Sequence, residues 1–367
     1  MDNKEHWFPK KRLIAGAILL AAGLGGLIAA HTADGFADLY GFTIYPVVVS
    51  IFARVSGIFP FSVAEIMVIL GVLLALFSIV YFIVNMIKRK GRRLRFLLSS
   101  FSSVLLVGSI LLFEFTYGMG INYSRRPFSE IAGLQTGKYT KEQVLEVLEY
   151  AIANVAESGK SIELDADGHI VTPRDLSARG VAAMKKLGEQ YSALDSYYAG
   201  VKPVMLSELM CYGHISGIFT FYSLEANYNT MNNAEELGHT VCHELSHMTG
   251  FMREDEANYI GFLACRDSGD AYLTYSGWYD IMIHLLNAYY SVCTSAEYTE
   301  VYRTIPDYVR RQLDMQNELW DRYDTDFGEA AEAMNDVYLK INNQSDGTKS
   351  YGRVVDLMIA DYYSKKS

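Results

Sequence analysis

The sequence predicts a mainly α-helical, membrane-anchored protein: three N-terminal transmembrane helices, then an α+β domain whose small sheet precedes a histidine-bearing helix. Three observations support this prediction. Long, nearly uncharged runs occupy much of the first 118 residues. Apolar residues recur at three- and four-residue steps in much of the remainder, as in amphipathic helices. One short stretch is instead rich in Ile, Phe, Tyr and Thr with partial alternation, which is typical of a strand.

Three apolar runs are long enough to cross a bilayer, which takes about 20 residues. They cover residues 13–30, which carry no charge, residues 64–87, with one acid at the start, and residues 96–118, with only Glu114. The first run follows a basic segment and has the length of a signal peptide, but no clean A-x-A cleavage site follows it. We therefore interpret it as a retained anchor and residues 1–118 as the membrane-anchoring region.

The basic residues predict how the anchor is oriented. Four lysines and arginines precede the first run and six fill residues 88–95, whereas residues 31–63 hold only Arg54. Basic loops stay in the cytoplasm, so the N-terminus is predicted to be cytoplasmic and the chain after about residue 119 extracytoplasmic, at the cell membrane. The lipid bilayer explains these basic residues, and the net charge of −10 argues against a nucleic-acid partner.

Two segments connect these parts. Residues 40–63 are apolar but interrupted by two prolines, which predicts an interfacial helix on the outer membrane surface or a re-entrant piece packed on the spans. Residues 119–135 contain two glycines and a proline at intervals and are predicted to be a linker.

The remaining residues, 136–367, are predicted to form one extracytoplasmic domain. Predicted helices begin after Thr140 and cover about 173–197, 234–249 and several stretches from 254 to 365. The strand-like stretch covers about 216–228 and lies shortly before the third of these helices. Four cysteines, Cys211, Cys242, Cys265 and Cys293, form no CxxC pair; their number permits one or two disulfides, and their spacing does not say which.

The sequence HELSH, from His243 to His247, is the strongest chemical signal in the chain. On a helix, positions i and i+4 share one face, so two imidazoles one turn apart can bind a single Zn²⁺. Glu244 projects from nearly the same side and can take a proton from a water on the metal. A zinc with three protein ligands keeps its fourth position for that water. This spacing therefore predicts a site for one Zn²⁺ with Glu244 as general base.

The third zinc ligand is predicted among the acids that follow. EDEAN fits the pattern E-x-x-A-[DN], in which Glu254 binds the metal and Asn258 orients a histidine ring or the carboxylate. Glu256 is the alternative, some 200° round the helix from Glu254, so both cannot face one ion. A solvated acidic first turn, which a helix dipole favours, is the structural alternative. The short connection requires a sharp turn, for which Gly250 is suited.

Other residues near the motif are weaker candidates. His239 lies two turns from His247, about 12 Å along the axis, so one zinc cannot bind both. His214 and His284 are candidates for transition-state contacts, and Tyr275 for a hydrogen bond to an oxyanion, although an ordinary core or surface position explains each of them better. The strand 216–228 is predicted to bind an extended peptide along its edge through Ile218, Thr220 and Tyr222.

These residues together resemble a known family. The segments FPFS (59–62), NYSRRPF (122–128) and CHELSHMTGFMREDEANYIGFLAC (242–265) look like those of the bacterial membrane family called domain of unknown function 3810. HExxH followed by E-x-x-A-N also resembles the gluzincin-type peptidases, including the phage-repressor-cleaving ImmA-like group and the CAAX-prenyl proteases, in which the gap before the glutamate is longer. Metzincins place a third ligand where this chain has Arg253, which cannot bind zinc.

The resemblance implies a zincin-like domain and a membrane-anchored zinc metallopeptidase. Its expected partner is a peptide or protein substrate at the outer membrane surface. Two other functions stay open: a non-catalytic zinc-binding membrane sensor or regulator, expected to have a closed fourth zinc position, and an envelope scaffold protein, expected to have a blocked cleft beside the strand.

Overall fold

The computed structural model describes residues 9–166, 168–342 and 353–366, and this part of the chain is mainly helical. Its α-helices are α1 (Lys10–Thr32), α2 (Phe36–Leu39), α3 (Tyr45–Ser56), α4 (Val63–Lys88), α5 (Arg93–Gly118), α6 (Phe128–Ile131), α7 (Lys141–Ser158), α8 (Leu176–Gln190), α9 (Ser207–Cys211), α10 (Ala234–His247), α11 (Glu254–Asp267), α12 (Ala271–Tyr290), α13 (Ser295–Tyr302), α14 (Asp307–Asp321), α15 (Asp326–Ile341) and α16 (Val354–Ser364). A π-helical stretch, Tyr40–Ile44, joins α2 to α3.

Within the described residues, four helical stretches are long and apolar enough to cross a membrane: α1, α4, α5 and Phe36–Ser56, which comprises α2, the π-helical stretch and α3. α1, α4 and α5 coincide with the three predicted runs. Phe36–Ser56 corresponds to the segment predicted to be interfacial and is more continuously helical than expected. Pro46 does not break it because this proline lies in the first turn of α3, where a missing N–H is tolerated.

Helices α1 and α5 pack side by side and run parallel. Gly16 of α1 lies against Leu106 of α5, and Gly26 of α1 against Thr116. The Thr116 hydroxyl donates to the carbonyl of Gly23 at 3.2 Å. Small residues allow such close approach between apolar helices. The basic starts of the two helices therefore lie on the same side of the pair, where Arg12 donates to the Ser103 hydroxyl.

The stretch Phe36–Ser56 packs along the domain. One of its faces is buried, including Tyr45, Val49 and Ala53. Near its end, the Lys202 ammonium donates to the carbonyl of Ser56 at 2.6 Å. Its other face exposes apolar side chains at helical spacing: Ile44, Val47, Ile51, Phe52 and Val55. The helix thus has one face against the domain and a second apolar face that the domain does not cover.

The segment predicted to be a linker, residues 119–135, is packed into the domain. It forms the 3₁₀ stretch Gly120–Ser124 and helix α6. Ile121 and Phe128 are fully buried in the same core as the helices that follow. The apolar side chains between its glycines and prolines explain this packing.

A three-stranded sheet lies beside α10. It contains β1 (Lys202–Val204), β2 (Gly217–Thr220) and β3 (Glu225–Asn229), in the order β1-β3-β2. β2 pairs with β3 antiparallel and β1 pairs with β3 parallel, so β2 is an edge strand.

The single strand predicted over 216–228 is wrong in detail, because it is two strands joined by a turn over residues 221–224. Tyr222 lies in this turn. The turn is closed by the Leu224 N–H donating to the Thr220 carbonyl at 2.8 Å, and by a 2.6 Å hydrogen bond between the Thr220 and Ser223 hydroxyls. These local hydrogen bonds compete with a continuous ladder.

Helix α10 lies at the centre of the domain. Its apolar residues Leu237, Val241 and Leu245 are buried, as the periodicity predicts. It packs against α8, α11, α12 and the sheet. A helix enclosed in this way holds its side chains rigidly, which matters for the histidines it carries.

Candidate metal centre

The turn between α10 and α11 brings the HELSH histidines next to Glu254. α10 ends at His247, and Gly250 has a φ of 87°, a left-handed conformation that favours glycine. α11 then begins at Glu254, so its first side chain faces back toward the end of α10. The short connection predicted to need a sharp turn is therefore closed at Gly250.

Three ligand atoms converge at this point. The Nε2 atoms of His243 and His247 are 3.2 Å apart. Glu254 Oε2 lies 3.2 Å from His243 Nε2 and 3.8 Å from His247 Nε2. Ligands on one tetrahedral zinc at about 2.0–2.2 Å are about 3.3–3.5 Å from each other. We call these three residues the metal cluster; among the described residues it is the one group whose His, Cys, Asp or Glu atoms approach each other this closely.

The outer nitrogen of each ring is already engaged. His247 Nδ1 donates to the carbonyl of Phe251 at 2.8 Å, and His243 Nδ1 lies 2.6 Å from Asn258 Oδ1. A neutral imidazole that donates from Nδ1 has a lone pair on Nε2. The two Nε2 atoms and the Glu254 carboxylate thus point at one another. This arrangement suits a cation between them, so the donor set fits zinc.

The pKa values reflect this crowding of donors. Burial alone lowers the pKa of His243, but the hydrogen bond with Glu254 and the nearby carboxylate charges raise it to about 9. Burial lowers the pKa of His247 to about 4. Burial alone raises the pKa of Glu254, but the hydrogen bond with His243 and the charges of both rings hold it below its usual value. The site therefore attracts positive charge.

Glu244 lies beside the metal cluster and is buried. Burial raises the pKa of Glu244 to about 8. Its Oε2 has no hydrogen-bond partner in the described part of the chain. A Cβ added to Gly217 of β2 would lie 2.5 Å from Glu244 Oε1, so only glycine lets the strand pass this close. A buried carboxylate oxygen without a partner is unusual and is placed to bind a water or a substrate group.

The C-terminal end of α10 is braced from the membrane-anchoring region. The Tyr45 hydroxyl of α3 donates to the carbonyl of His247 at 3.3 Å. Arg125 Nη1 donates to the carbonyl of Thr249 at 2.8 Å. The guanidinium of Arg125 lies between the rings of Phe42 and Phe251, about 4 Å from each. These contacts satisfy carbonyls that a helix end leaves free.

The metal cluster lies in a cleft of about 800 Å³. Strand β2 and the following turn form one wall, α10 the floor, and α15 the opposite wall through Ala331, Asn335 and Tyr338. Ile218 is 40 % exposed at the edge of this cleft. The cleft leaves room for an extended chain beside β2.

The model of the family described as Protein of unknown function (DUF3810) matches residues 40–359. The chain belongs to this family. No curated protein and no solved structure gives a significant match. The family assignment agrees with the resemblance seen in the sequence, and the match covers α4, α5 and most of the domain but not α1.

A second group of histidines and acids combines His239 of α10 with Asp280 and His284 of α12, and we call it the Asp280 cluster. His239 Nδ1 lies 3.2 Å and His284 Nε2 3.5 Å from Asp280 Oδ2. His239 Nε2 lies 3.0 Å from the carbonyl of Asn258. Burial raises the pKa of Asp280, but the two histidines lower it to about 2. His284 and Asp280 both line the cleft.

The structure separates the competing acids of the EDEAN segment. Glu254 faces the histidines, whereas Glu256 accepts a hydrogen bond from the Phe128 N–H at 2.7 Å and lies 3.7 Å from Arg253. Glu256 therefore does not join the metal cluster. Asp255 lies 3.6 Å from Arg353. Asn258 contacts His243 as the motif predicted.

Four other predicted site residues have different outcomes. Tyr275 is buried away from the cleft, and its hydroxyl donates to Gln312, so it cannot reach an oxyanion there. His214 lines the cleft with its ring next to Trp320. Tyr222 and Thr220 also line the cleft, Tyr222 from the turn and not from a strand, and Thr220 as a largely buried residue at the end of β2. The four cysteines are free thiols, three of them buried.

Sequence reasoning missed Asp280 entirely. Asp280 and His284 are four residues apart on α12, so they share one face. This D-x-x-x-H spacing is a weak signal by itself, because many helices contain such pairs. Only the packing of α12 against α10 brings it into the cleft.

Proposed function

We propose that this protein is a membrane-anchored, zinc-dependent peptidase. His243, His247 and Glu254 bind one Zn²⁺, and Glu244 is the general base. The observation that carries the proposal is the convergence of two Nε2 atoms and one carboxylate oxygen within 3.2–3.8 Å, beside a buried carboxylate oxygen without a partner. This pattern combines a tetrahedral donor set with an adjacent proton acceptor.

A zinc ion bound there would supply Lewis-acid polarisation of the peptide carbonyl and of the attacking water. Glu244 accepts the proton of that water and passes it to the departing amine. His284, whose Nε2 lies 3.5 Å from Asp280 Oδ2 and which lines the same cleft, is the residue that we propose to donate a hydrogen bond to the oxyanion. β2 holds the substrate by backbone hydrogen bonds.

The membrane orientation is part of the proposal. If two spans run in the same direction, the chain between them must cross the membrane an odd number of times. The parallel packing of α1 and α5 is therefore explained if α4 crosses and Phe36–Ser56 lies on the surface with its uncovered apolar face toward lipid. The basic residues at the starts of α1 and α5 then share the cytoplasmic side, and the domain is extracytoplasmic.

The alternative functions have less support. A sensor with a structural zinc needs a fourth protein ligand, and the described residues offer three. A scaffold with an inactive site would be expected to have a filled cleft, whereas Ile218 and Tyr338 leave it open. The peptidase explains both the open position and the unpartnered oxygen of Glu244.

The test is metal analysis and hydrolysis by the purified full chain and by Glu244→Gln. Both are expected to contain one zinc per chain, because Glu244 is not one of the three proposed ligands. Hydrolysis of a mixed peptide library, offered free and attached to a membrane span, should fall by about 10²- to 10⁴-fold in Glu244→Gln. Mass spectrometry of the products measures this.

Equal hydrolysis by the two proteins would show that Glu244 is not the base. Zinc-loaded wild type that cleaves neither form of the library would contradict the peptidase itself. Glu235→Gln is the matched control: Glu235 lies two turns earlier on the same helix and is also buried, and its replacement should leave both readouts near wild type.

A further inference from the structure

We propose that the substrate is the extracytoplasmic segment of another membrane protein, in extended conformation, within a few residues of its own transmembrane helix. This inference rests on the proposed function and names its substrate class. It follows from where the cleft begins and ends relative to the spans.

One end of the cleft lies on the outer end of α5. The backbone of Phe221, in the turn after β2, approaches Gly118 so closely that a Cβ there would be 2.6 Å from the Phe221 carbonyl oxygen. The Phe221 ring packs edge-on against Phe115, with centroids 5.6 Å apart. Met119, directly after α5, lines the cleft. The cleft therefore reaches the last turn of α5.

The start of α4 is fastened to the same turn. The Glu225 carboxylate accepts hydrogen bonds from the backbone N–H groups of Val63 and Ala64, at 3.4 and 2.7 Å. The turn over residues 221–224 thus lies between the outer ends of two spans. A bilayer that surrounds α4 and α5 must end next to this turn.

The depth of α5 supports this placement. The hydrocarbon core is about 30 Å thick, which takes about 20 helical residues. If the core begins directly after the basic residues that end at Arg95, it ends near Phe115. Aromatic side chains cluster at that level: Phe115, Phe221, Tyr123 and Tyr338 contact one another. Aromatic residues are enriched where membrane meets water.

The other end of β2 lies at the catalytic residues. Gly217, the first residue of β2, touches Glu244, and Phe221 follows the last. Four residues of strand measure about 13 Å. A chain bound along this edge with its scissile bond at the metal cluster reaches the membrane surface about four residues later. A substrate that continues into the bilayer fits this path without a turn.

Both walls of the cleft present apolar side chains. Ile218 on β2 is 40 % exposed and Tyr338 on α15 is 36 % exposed, and both line the cleft together with Met119 and Ala331. Such side chains suit the apolar residues that flank a transmembrane helix. A soluble polar peptide would gain little from them.

The experiment maps the path with a photo-crosslinker. p-Benzoylphenylalanine replaces Ile218, Tyr222 or, as a remote control, Tyr290, which is 65 % exposed at the end of α12. Each is placed in the full-length Glu244→Gln protein in lipid nanodiscs, so that cleavage does not consume the probe. Three synthetic probes carry the same randomised segment: attached directly to a Leu/Ala transmembrane helix, attached through a long Gly/Ser spacer, or free.

The expected result is preferential labelling of the directly attached probe, by about tenfold over the spacer form, which has the same local concentration. The Tyr222 position should label residues next to the transmembrane helix. The Ile218 position should label residues about four further along. The Tyr290 position should label none of the probes above background.

Three results would each overturn the inference. The direct and spacer probes could be labelled equally, the crosslinkers at positions 218 and 222 could label the same probe residues, or both could label no more strongly than the crosslinker at position 290. Wild type that cleaves the free and attached segments equally would also overturn it and leave the peptidase standing. If the labelling is as expected but wild type cleaves none of the probes, the proposed binding path is supported and the proposed peptidase activity is contradicted.

Discussion

Helix α10 contributes to two groups of histidines and acids that use the same residue types and differ in geometry. In the metal cluster, His243, His247 and Glu254 bring three atoms to one point, 3.2–3.8 Å apart. In the Asp280 cluster, the carboxylate itself lies between the rings of His239 and His284. In one group three donor atoms face a common point, and in the other a carboxylate oxygen of the protein lies between the two rings.

The difference comes from the helices that pack against α10. Glu254 approaches from the first residue of α11, beyond the end of α10, and so completes a triangle with two rings of one helix face. Asp280 approaches from the middle of α12, between His239 and its own neighbour His284. The three histidines of α10 recur every four residues, so spacing alone does not distinguish a ligand from an orienting residue.

The largest expected effect separates the two clusters by metal content. His247→Gln removes a predicted zinc ligand and should abolish hydrolysis. Its zinc affinity should fall by more than the roughly 10–100-fold that is typical when a residue hydrogen-bonded to a ligand is replaced. His239→Gln, two turns away on the same helix, should keep one zinc per chain. Metal analysis after dialysis compares them. Equal zinc content in both variants would show that the clusters are not distinct.

The second effect is on stability. Burial, with the charge of Asp280, raises the pKa of Glu236 to about 8 from 4.5. Because the folded-state pKa is raised, the stability from the neutral acid is complete below about pH 4.5 and is lost as the pH rises through about 8. Glu236→Gln has no carboxyl to titrate and so avoids this loss. The difference in free energy of unfolding between the variant and wild type should therefore be more favourable to the variant at pH 8 than at pH 4.5, by on the order of 3 kcal/mol.

Thermal unfolding of both proteins in the same detergent, at several pH values between 4.5 and 9, measures this difference. A constant difference across the range would mean that Glu236 titrates normally. Glu297→Gln is the control, since Glu297 is at the surface and its pKa is held low, about 2, by its bond to Lys141.

The third effect concerns the residue that touches both clusters. Asn258 contacts His243 with its side chain and His239 with its carbonyl. Asn258→Ala removes only the first contact and should weaken zinc binding by about 10- to 100-fold. Asn258→Asp keeps an acceptor oxygen and should bind nearly as well. Chelator competition measures the affinities, and equal weakening by both variants would contradict the orienting role.

The smallest expected effect is on turnover through the Asp280 cluster. Asp280→Asn should keep zinc and lower kcat/KM by about 10- to 100-fold, because His284 loses the carboxylate that orients it. His284→Ala should cause a similar loss, and the double variant no more than either alone. Additive losses in the double variant would show that the two residues act separately.

Much of the anchor and of the metal cluster was predictable because both depend on local patterns. Three apolar runs have the length of a span, and His243 and His247 share a helix face whatever surrounds them. The motif favoured Glu254 as the third ligand, but Glu256 remained an alternative in the sequence. In the structure the Glu256 carboxylate instead accepts a hydrogen bond from the Phe128 N–H. The break of the predicted strand at Tyr222 depended on hydrogen bonds in a four-residue turn.

The sequence by itself determined that this chain has membrane-length apolar helices and a helix with two histidines one turn apart, because these features follow from hydrophobicity and helical period. Only the tertiary structure decided that Glu254 completes the donor set, that Asp280 joins the cleft and Tyr275 does not, and that the cleft ends on α5. These facts depend on contacts between residues far apart in the chain, and no local pattern encodes such distances.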